Sequence, residues 1–106
     1  MPTAAAQVDV FRAIADPTRR AILDRLRAGA APVNELAADF HQSRPGISKH
    51  LRVLRQARLV SEERVGRERV YRIEVAPLRR VAGWIEGYRA FWLQSLNNLK
   101  HLLEDK

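Results

Sequence analysis

The 106-residue sequence contains no cysteine. Disulfides, thiolate metal sites and thiol redox sensing are thereby excluded. No apolar run approaches the ~20 residues that a membrane-spanning helix needs. The opening Met1-Pro2-Thr3-Ala4-Ala5-Ala6 lacks the charged start and long apolar stretch of a secretory signal, so a cytoplasmic location is expected. Histidine is scarce too. His41, His50 and His101 fall in separate predicted elements, with no acid or nucleophile partner in view. There is no nucleophile elbow, glycine-rich phosphate loop or metal-ligand cluster, and Glu62 and Glu63 alternate across a predicted strand. An enzyme is therefore not expected, and no cofactor is implied.

Acidic residues are also in short supply. Twelve Asp and Glu stand against nineteen Lys and Arg, for a net charge of +7. Residues 44 to 72 hold nine of the basic residues and only three acids, so +6 of the charge lies in one segment. A cationic patch on a near-neutral body points to a polyanionic partner at one surface. The 46% hydrophobic content argues for a folded chain, and its length for one domain, residues 1–106.

Along the chain, Val8, Phe11, Ile14 and Ala15 predict a short amphipathic helix. Asp16 caps a second helix with Pro17 at its first position, and Ala21, Ile22, Leu23 and Leu26 turn inward until Gly29 ends it. Pro32 to Phe40 predicts a third helix and His41-Gln42 a tight turn. Ser43 caps a fourth helix that runs to about Arg58, with Ile47, Leu51 and Leu54 on one buried stripe. The period then changes. Val60–Val65 and Glu68–Val75 read as a β-hairpin around Gly66-Arg67, with Tyr71, Ile73 and Val75 on the inward face.

A helix, a turn, a second helix and a basic hairpin form the layout of a winged helix-turn-helix. The expected class is mainly α with a β-hairpin, in the order α-α-α-α-β-β-α. The second helix of such a pair enters the major groove with its N-terminal residues leading. Arg44, Pro45, Gly46, Ser48, Lys49 and Arg52 are the candidate contacts. Arg44 suits a bidentate contact with guanine, Gly46 a close approach, and Lys49 and Arg52 phosphates or base edges. His50 sits beside the buried stripe, while Arg55 and Arg58 lie nearer the core side of the helical wheel. Arg64, Arg67 and Arg69 at the hairpin tip are candidates for a flanking backbone or minor groove.

Pro77 opens a last helix over residues 77–104. Leu78, Val81, Ile85, Tyr88, Trp92, Leu96, Leu99 and Leu103 step by threes and fours, close to a heptad seam. Trp84, Phe91 and Leu102 widen it beyond what one small domain can bury. Gly83 and Gly87, four apart, can let another backbone come close. Dimerisation through this helix is expected, with Val8, Phe11, Trp84, Ile85, Tyr88, Phe91, Trp92, Leu96 and Leu99 at the interface.

With these residues in view, the chain resembles the ArsR/SmtB-type winged-helix transcriptional regulators. The resemblance rests on Phe11 to Leu23, Val33-Asn34-Glu35-Leu36-Ala37, Ser48-Lys49-His50-Leu51 with Leu54, Leu59-Val60, and Gly66-Arg67 through Tyr71. It spans roughly residues 8 to 105. It implies a homodimer on an imperfect inverted-repeat operator, most often a repressor, with the first and last helices at the dimer interface. The family's metal positions are the departure. The thiolate pair falls on Pro32 and Asn34, and the second site on Val75, Pro77, Tyr88 and Phe91, none a useful ligand. A branch without the family's metal sites is thus implied, with the inducing signal unspecified. A nonspecific architectural DNA-binding protein, or an interaction module using the aromatic last helix, are the alternatives.

Overall fold

The computed structural model describes residues 9–104. Helix α1 (Val10–Ala13) is short, and the Asp9 carboxylate accepts from the Phe11 backbone N–H at its start. Val8 lies outside the described residues. Helix α2 (Pro17–Arg27) follows as expected, with the Asp16 carboxylate accepting from Arg19 N at 3.0 Å and Pro17 in the first turn. Arg19 and Arg20 reach back to the carbonyls of Arg12, Ala13 and Ile14. The Ala13 and Ile14 oxygens lie at the end of so short a helix without a backbone partner, and the two guanidiniums fasten α1 onto α2.

The first departure from the sequence reading comes next. Ala31–Pro32 is a short strand, β1, and helix α2 is therefore followed by α3 (Val33–Asp39), with Pro32 outside the helix. The chain order becomes α-α-β-α-α-β-β-α. A two-residue strand has no period to read, and proline is tolerated there because β1 is an edge strand. Helix α4 (Arg44–Gln56) is capped by Ser43 Oγ, which accepts from Gly46 N at 3.1 Å. Strands β2 (Val60–Val65) and β3 (Glu68–Ile73) form the hairpin, and the sheet order is β1-β3-β2, all antiparallel. Gly66 has φ 65° at the first of the two loop positions, which a tight type II′ hairpin requires there. Val75 is not in the strand and does not face inward: it is 61% exposed. The Glu74 N–H bonds to the Leu59 carbonyl, after which the chain turns toward the last helix.

The core gathers Ile22 and Leu26 of α2, Leu36 of α3, Ile47, Leu51 and Leu54 of α4, and Leu59 before β2, all fully buried. Each such side chain contributes about 1.5–3 kcal/mol of hydrophobic stabilisation. Arg25 adds a polar strap, pairing with Asp39 at 2.9 Å and with Glu35, so α2 and α3 are held together at the surface as well. His50 of α4 lies 3.9 Å from the Asp16 carboxylate, on the flank facing α2.

Helices α3 and α4 end alike. The Gln42 N–H bonds to the Ala37 carbonyl and the His41 N–H to Ala38; Leu59 N–H bonds to Leu54 and Arg58 N–H to Arg55. This is the Schellman arrangement, whose left-handed position usually holds glycine. Here it holds His41 (φ 53°) and Arg58 (φ 63°). Leu54 and Leu59, which bracket the second motif, are both buried and supply its apolar contact.

Helix α5 (Leu78–Glu104) is 27 residues long, about 40 Å at 1.5 Å per residue. Only Leu78 and Val81 pack against the core. Phe11 of α1 meets Trp84 edge-on at 5.9 Å, Trp84 meets Tyr88 at 5.2 Å, and the Arg80 guanidinium sits over the Phe11 ring. Beyond Tyr88 the helix extends away from the body. Gly83 and Gly87 fall on the opposite side of α5 from Ile85 and Trp92.

The Asp16 carboxyl is held below its ordinary value of 3.8, first by the Arg19 backbone N–H and then, against desolvation, by His50 and Arg19. Its contribution to stability is complete above that ordinary value and is lost as pH falls through the lowered one. Arg58→Gly relieves a left-handed residue costing about 1–2 kcal/mol, offset by about 0.5–1 kcal/mol of glycine entropy. A net gain of up to about 1.5 kcal/mol is expected by urea denaturation. Leu51→Ala is expected to cost about 2–5 kcal/mol in the same assay.

Candidate nucleic-acid interface

The fully buried stripe of α4 fixes which residues look outward. Arg44, Pro45, Lys49 and Arg52 are exposed, and Ser48 is half-buried between them. Two rows result. Arg44, Ser48, Arg52 and Arg55, at spacings of four, four and three, face the hairpin; Pro45, Lys49 and Gln56 form the outermost row. Gly46 joins neither. It sits on the other flank, where an added Cβ would come 3.2 Å from Ser43 Oγ, so its small size serves the cap.

The hairpin completes a cleft of about 340 Å³. Arg44, Ser48, Arg52 and Arg55 line one wall, and Arg64, Arg67 and Arg69 the other. Val33, Leu51 and Tyr71 lie at its floor. Six of the lining residues are arginines and one, Glu62, is acidic. Three of the sequence-derived helix residues and all three hairpin arginines are thus brought together. Pro45 and Lys49 are beside the cleft on the outer row.

Register explains the arrangement of the hairpin. Its inner face runs through the cross-strand pairs Val60–Ile73, Glu62–Tyr71 and Arg64–Arg69. The face passes from apolar at the core, through one carboxylate, to two guanidiniums at the tip. Arg64 and Arg69 stand directly opposite each other, an unfavourable pairing of like charges in a sheet. The outer face is neutralised locally, with Arg72 paired to Glu63 and Ser61 bonded to Glu74. The cationic surface is therefore one-sided, turned toward the same side as α4.

Sequence reasoning missed Arg55, Glu62 and Tyr71. The wheel alone put Arg55 near the core, whereas its exposed guanidinium lies 2.6 Å from Glu62 Oε1. The same oxygen lies 3.4 Å from Arg69. Burial, and then the Glu62 carboxylate beside it, push the Tyr71 hydroxyl above its usual value of 10.0. These residues meet only through the hairpin register, although the inward alternation of Glu62 with Val60 and Arg64 was readable.

The expected dimer residues lie elsewhere. Trp84, Ile85, Tyr88, Phe91, Trp92, Leu96 and Leu99 are all between 50% and 71% exposed. Leu93, Leu102 and Leu103 raise the number of exposed large apolar side chains on α5 to ten. Phe11 is half-buried against Trp84. Among the described residues, no group of three or more His, Asp or Glu is placed to hold a metal ion, and no helix is long and apolar enough to cross a membrane.

An outward-facing helix whose pair-mate is fixed to the core, flanked by a basic hairpin, defines a winged helix-turn-helix of the DNA-binding kind. A helix-turn-helix domain family matches residues 14–63. The chain is 38% identical over 96 residues to the HTH-type transcriptional regulator Rv2034 of Mycobacterium tuberculosis, covering 91% of this chain and 87% of that one. It is 40% identical over 77 residues to the transcriptional repressor SdpR of Bacillus subtilis, covering 73% and 86%. Among solved structures, it is similar to the homodimeric winged helix-turn-helix DNA-binding domain of a possible ArsR-family regulator from Mycobacterium bovis. The TM-score is 0.63 at 29% identity, covering 76% of this chain and 77% of that one. The chain belongs to the ArsR/SmtB-type family of winged helix-turn-helix transcriptional regulators. It is a DNA-binding regulator of transcription.

The like-charge pair at the wing gives this site a distinctive signature. Arg64→Thr is expected to raise stability by a few tenths of a kcal/mol, because it removes the repulsion across the strands. The same change is expected to weaken DNA binding and make it less salt-dependent, measured by anisotropy titration at several salt concentrations.

Proposed function

We propose that the protein is a homodimeric repressor that binds an inverted-repeat operator without a metal cofactor. The observation that carries the reading is the cationic row of α4 facing the same cleft as the wing arginines, with every apolar residue of the α4 stripe committed to the core. In this reading α4 lies in the major groove. Arg44, Pro45, Ser48, Lys49 and Arg52 meet base edges and phosphates, Gly46 fixes the cap that leads them, and Arg64 and Arg67 of the wing grip the flanking backbone, with Arg69 behind them paired to Glu62. The described residues form the binding unit, and residues 77–104 supply the dimer helix. The action is binding rather than catalysis, and it takes place in the cytoplasm.

Dimerisation is supported by α5. Ten large apolar side chains exposed on one helix exceed what a soluble monomer ordinarily presents. Phe11 and Trp84 begin that surface where α1 meets α5, and Ile85, Tyr88, Phe91, Trp92, Leu96 and Leu99 continue it. A second copy covers it, and the two-fold axis so created matches an inverted repeat. The similar Mycobacterium bovis domain is homodimeric and SdpR is a repressor, in accord with this reading. The absence of cysteine, with Pro32 and Asn34 at the family's thiolate positions, supports action without a metal.

The double variant Lys49→Ala/Arg52→Ala is expected to lose at least tenfold in affinity for a genomically selected DNA fragment, while its melting temperature stays within a few degrees of the wild type. Unchanged binding in gel-shift titration contradicts the groove assignment. Light scattering at micromolar concentration is expected to give the mass of a dimer, and Trp92→Glu with Leu96→Glu to give a monomer. A wild-type monomer contradicts the α5 interface.

A further inference from the structure

One acidic residue stands among the six arginines of the cleft. Glu62 is in the wing, yet its side chain is only 22% exposed. Its Oε1 forms an ion pair with Arg55 of α4 at 2.6 Å and accepts a hydrogen bond from Arg69 of β3 at 3.4 Å. Its Oε2 is buried without a hydrogen bond of regular geometry, and the Tyr71 hydroxyl lies beside the carboxylate. A largely buried carboxylate is a costly thing to place at the foot of a DNA-binding wing. It is also repelled by the phosphates this surface receives.

The two ion pairs show what the carboxylate does. Arg55 and Arg69 come from different elements, and only Glu62 bridges them, so it ties the wing to the recognition helix. It also cancels much of their charge. Among the described residues, Arg44, Arg52, Arg64 and Arg67 of the cleft have no ion-pair partner, whereas Arg55 and Arg69 have Glu62. The cleft thus holds two kinds of cation. One kind is available to DNA; the other is held back at the junction with the core.

Nonspecific affinity comes from the number of phosphates that cations neutralise, and specificity comes from base contacts made in a fixed register. We propose that Glu62 is a positioning residue that sets DNA specificity: by holding Arg55 and Arg69 together inside the cleft, it keeps them off phosphates and fixes the wing against α4. The grip on arbitrary DNA is thereby lowered without removing a base-reading residue. This inference rests on the DNA-binding reading above and extends it to an acidic residue.

Glu62→Gln keeps the shape and removes the charge. Its binding to a random-sequence 30-base-pair duplex, and to a duplex selected by the wild-type protein, is to be followed by anisotropy from about 50 to 300 mM NaCl. Releasing two guanidiniums adds up to two phosphate contacts, so the salt slope on the random duplex is expected to steepen by about 1–2. Affinity for that duplex at low salt is expected to rise roughly fivefold or more, and the ratio of selected to random affinity to fall. Glu62→Asp, which keeps the charge, is expected to restore most of the ratio. Arg55→Gln alone is expected to leave the slope unchanged, because Arg55 is already paired, but in the Glu62→Gln background to remove about half of the increase.

A slope in folded Glu62→Gln no steeper than the wild type's overturns the inference. So does a slope shallower by about 1 in Arg55→Gln alone, which would mean that Arg55 already holds a phosphate; this arm does not depend on how Glu62→Gln folds. A wild type that binds both duplexes equally contradicts sequence-specific operator recognition instead. A discriminating wild type with an unchanged ratio in Glu62→Gln contradicts only the role of Glu62.

Discussion

The structure depends on the burial of one stripe of α4. Ile47, Leu51 and Leu54 have essentially no exposure, and they meet Ile22, Leu26, Leu36 and Leu59 from three directions. A helix held by so narrow a stripe has no rotational freedom about its axis. Everything that α4 offers outward follows from that. The row from Arg44 to Arg55 must face the hairpin, and the row with Lys49 must face solvent. The same packing decides where the wing stands, because Leu59 ends α4 in a Schellman turn and hands the chain directly to β2.

Electrostatics is built on this frame in two layers. Near the core, charges are paired: Arg25 with Glu35 and Asp39, His50 beside Asp16, and Glu62 between Arg55 and Arg69. These pairs orient elements relative to one another, and exposed pairs of this kind add little to stability individually. Farther out, Arg64 faces Arg69 across the strands, and Arg44, Lys49, Arg52 and Arg67 project from the same side. Repulsion concentrated on one surface is unfavourable in isolation and is relieved by a polyanion. At the other end of the molecule, α5 presents the opposite problem: apolar surface with too little of its own chain to cover it.

Much of this was legible in the sequence, for reasons that differ by element. Asp16-Pro17 and Ser43 announce helix starts by chemistry that is local to the chain. The α4 stripe and the α5 seam have enough turns for their periods to show. Gly66 marks the hairpin because few other residues take its φ. The features that stayed hidden are those made by distant pairing or by too few residues. Strand β1 is two residues long and exists only because β3 lies beside it. His41 and Arg58 occupy positions where glycine is the usual signal, so both left-handed turns were silent. Val75 continued the strand's alternation, but the chain had already turned away toward α5. The Glu62 junction joins a helix and two strands, and no single-element pattern reports it. Gly46 was read for its smallness toward DNA, whereas the structure spends that smallness on the Ser43 cap.

The central claim is that two copies of α4, related by the α5 interface, read one symmetric operator. Hydroxyl-radical footprinting on a DNA fragment selected by the purified protein tests it most directly. The account predicts two protected patches related by two-fold symmetry, their centres about one helical turn, ~34 Å, apart on one face of the duplex. A single unsymmetrical patch, or uniform protection with no phasing, would contradict it.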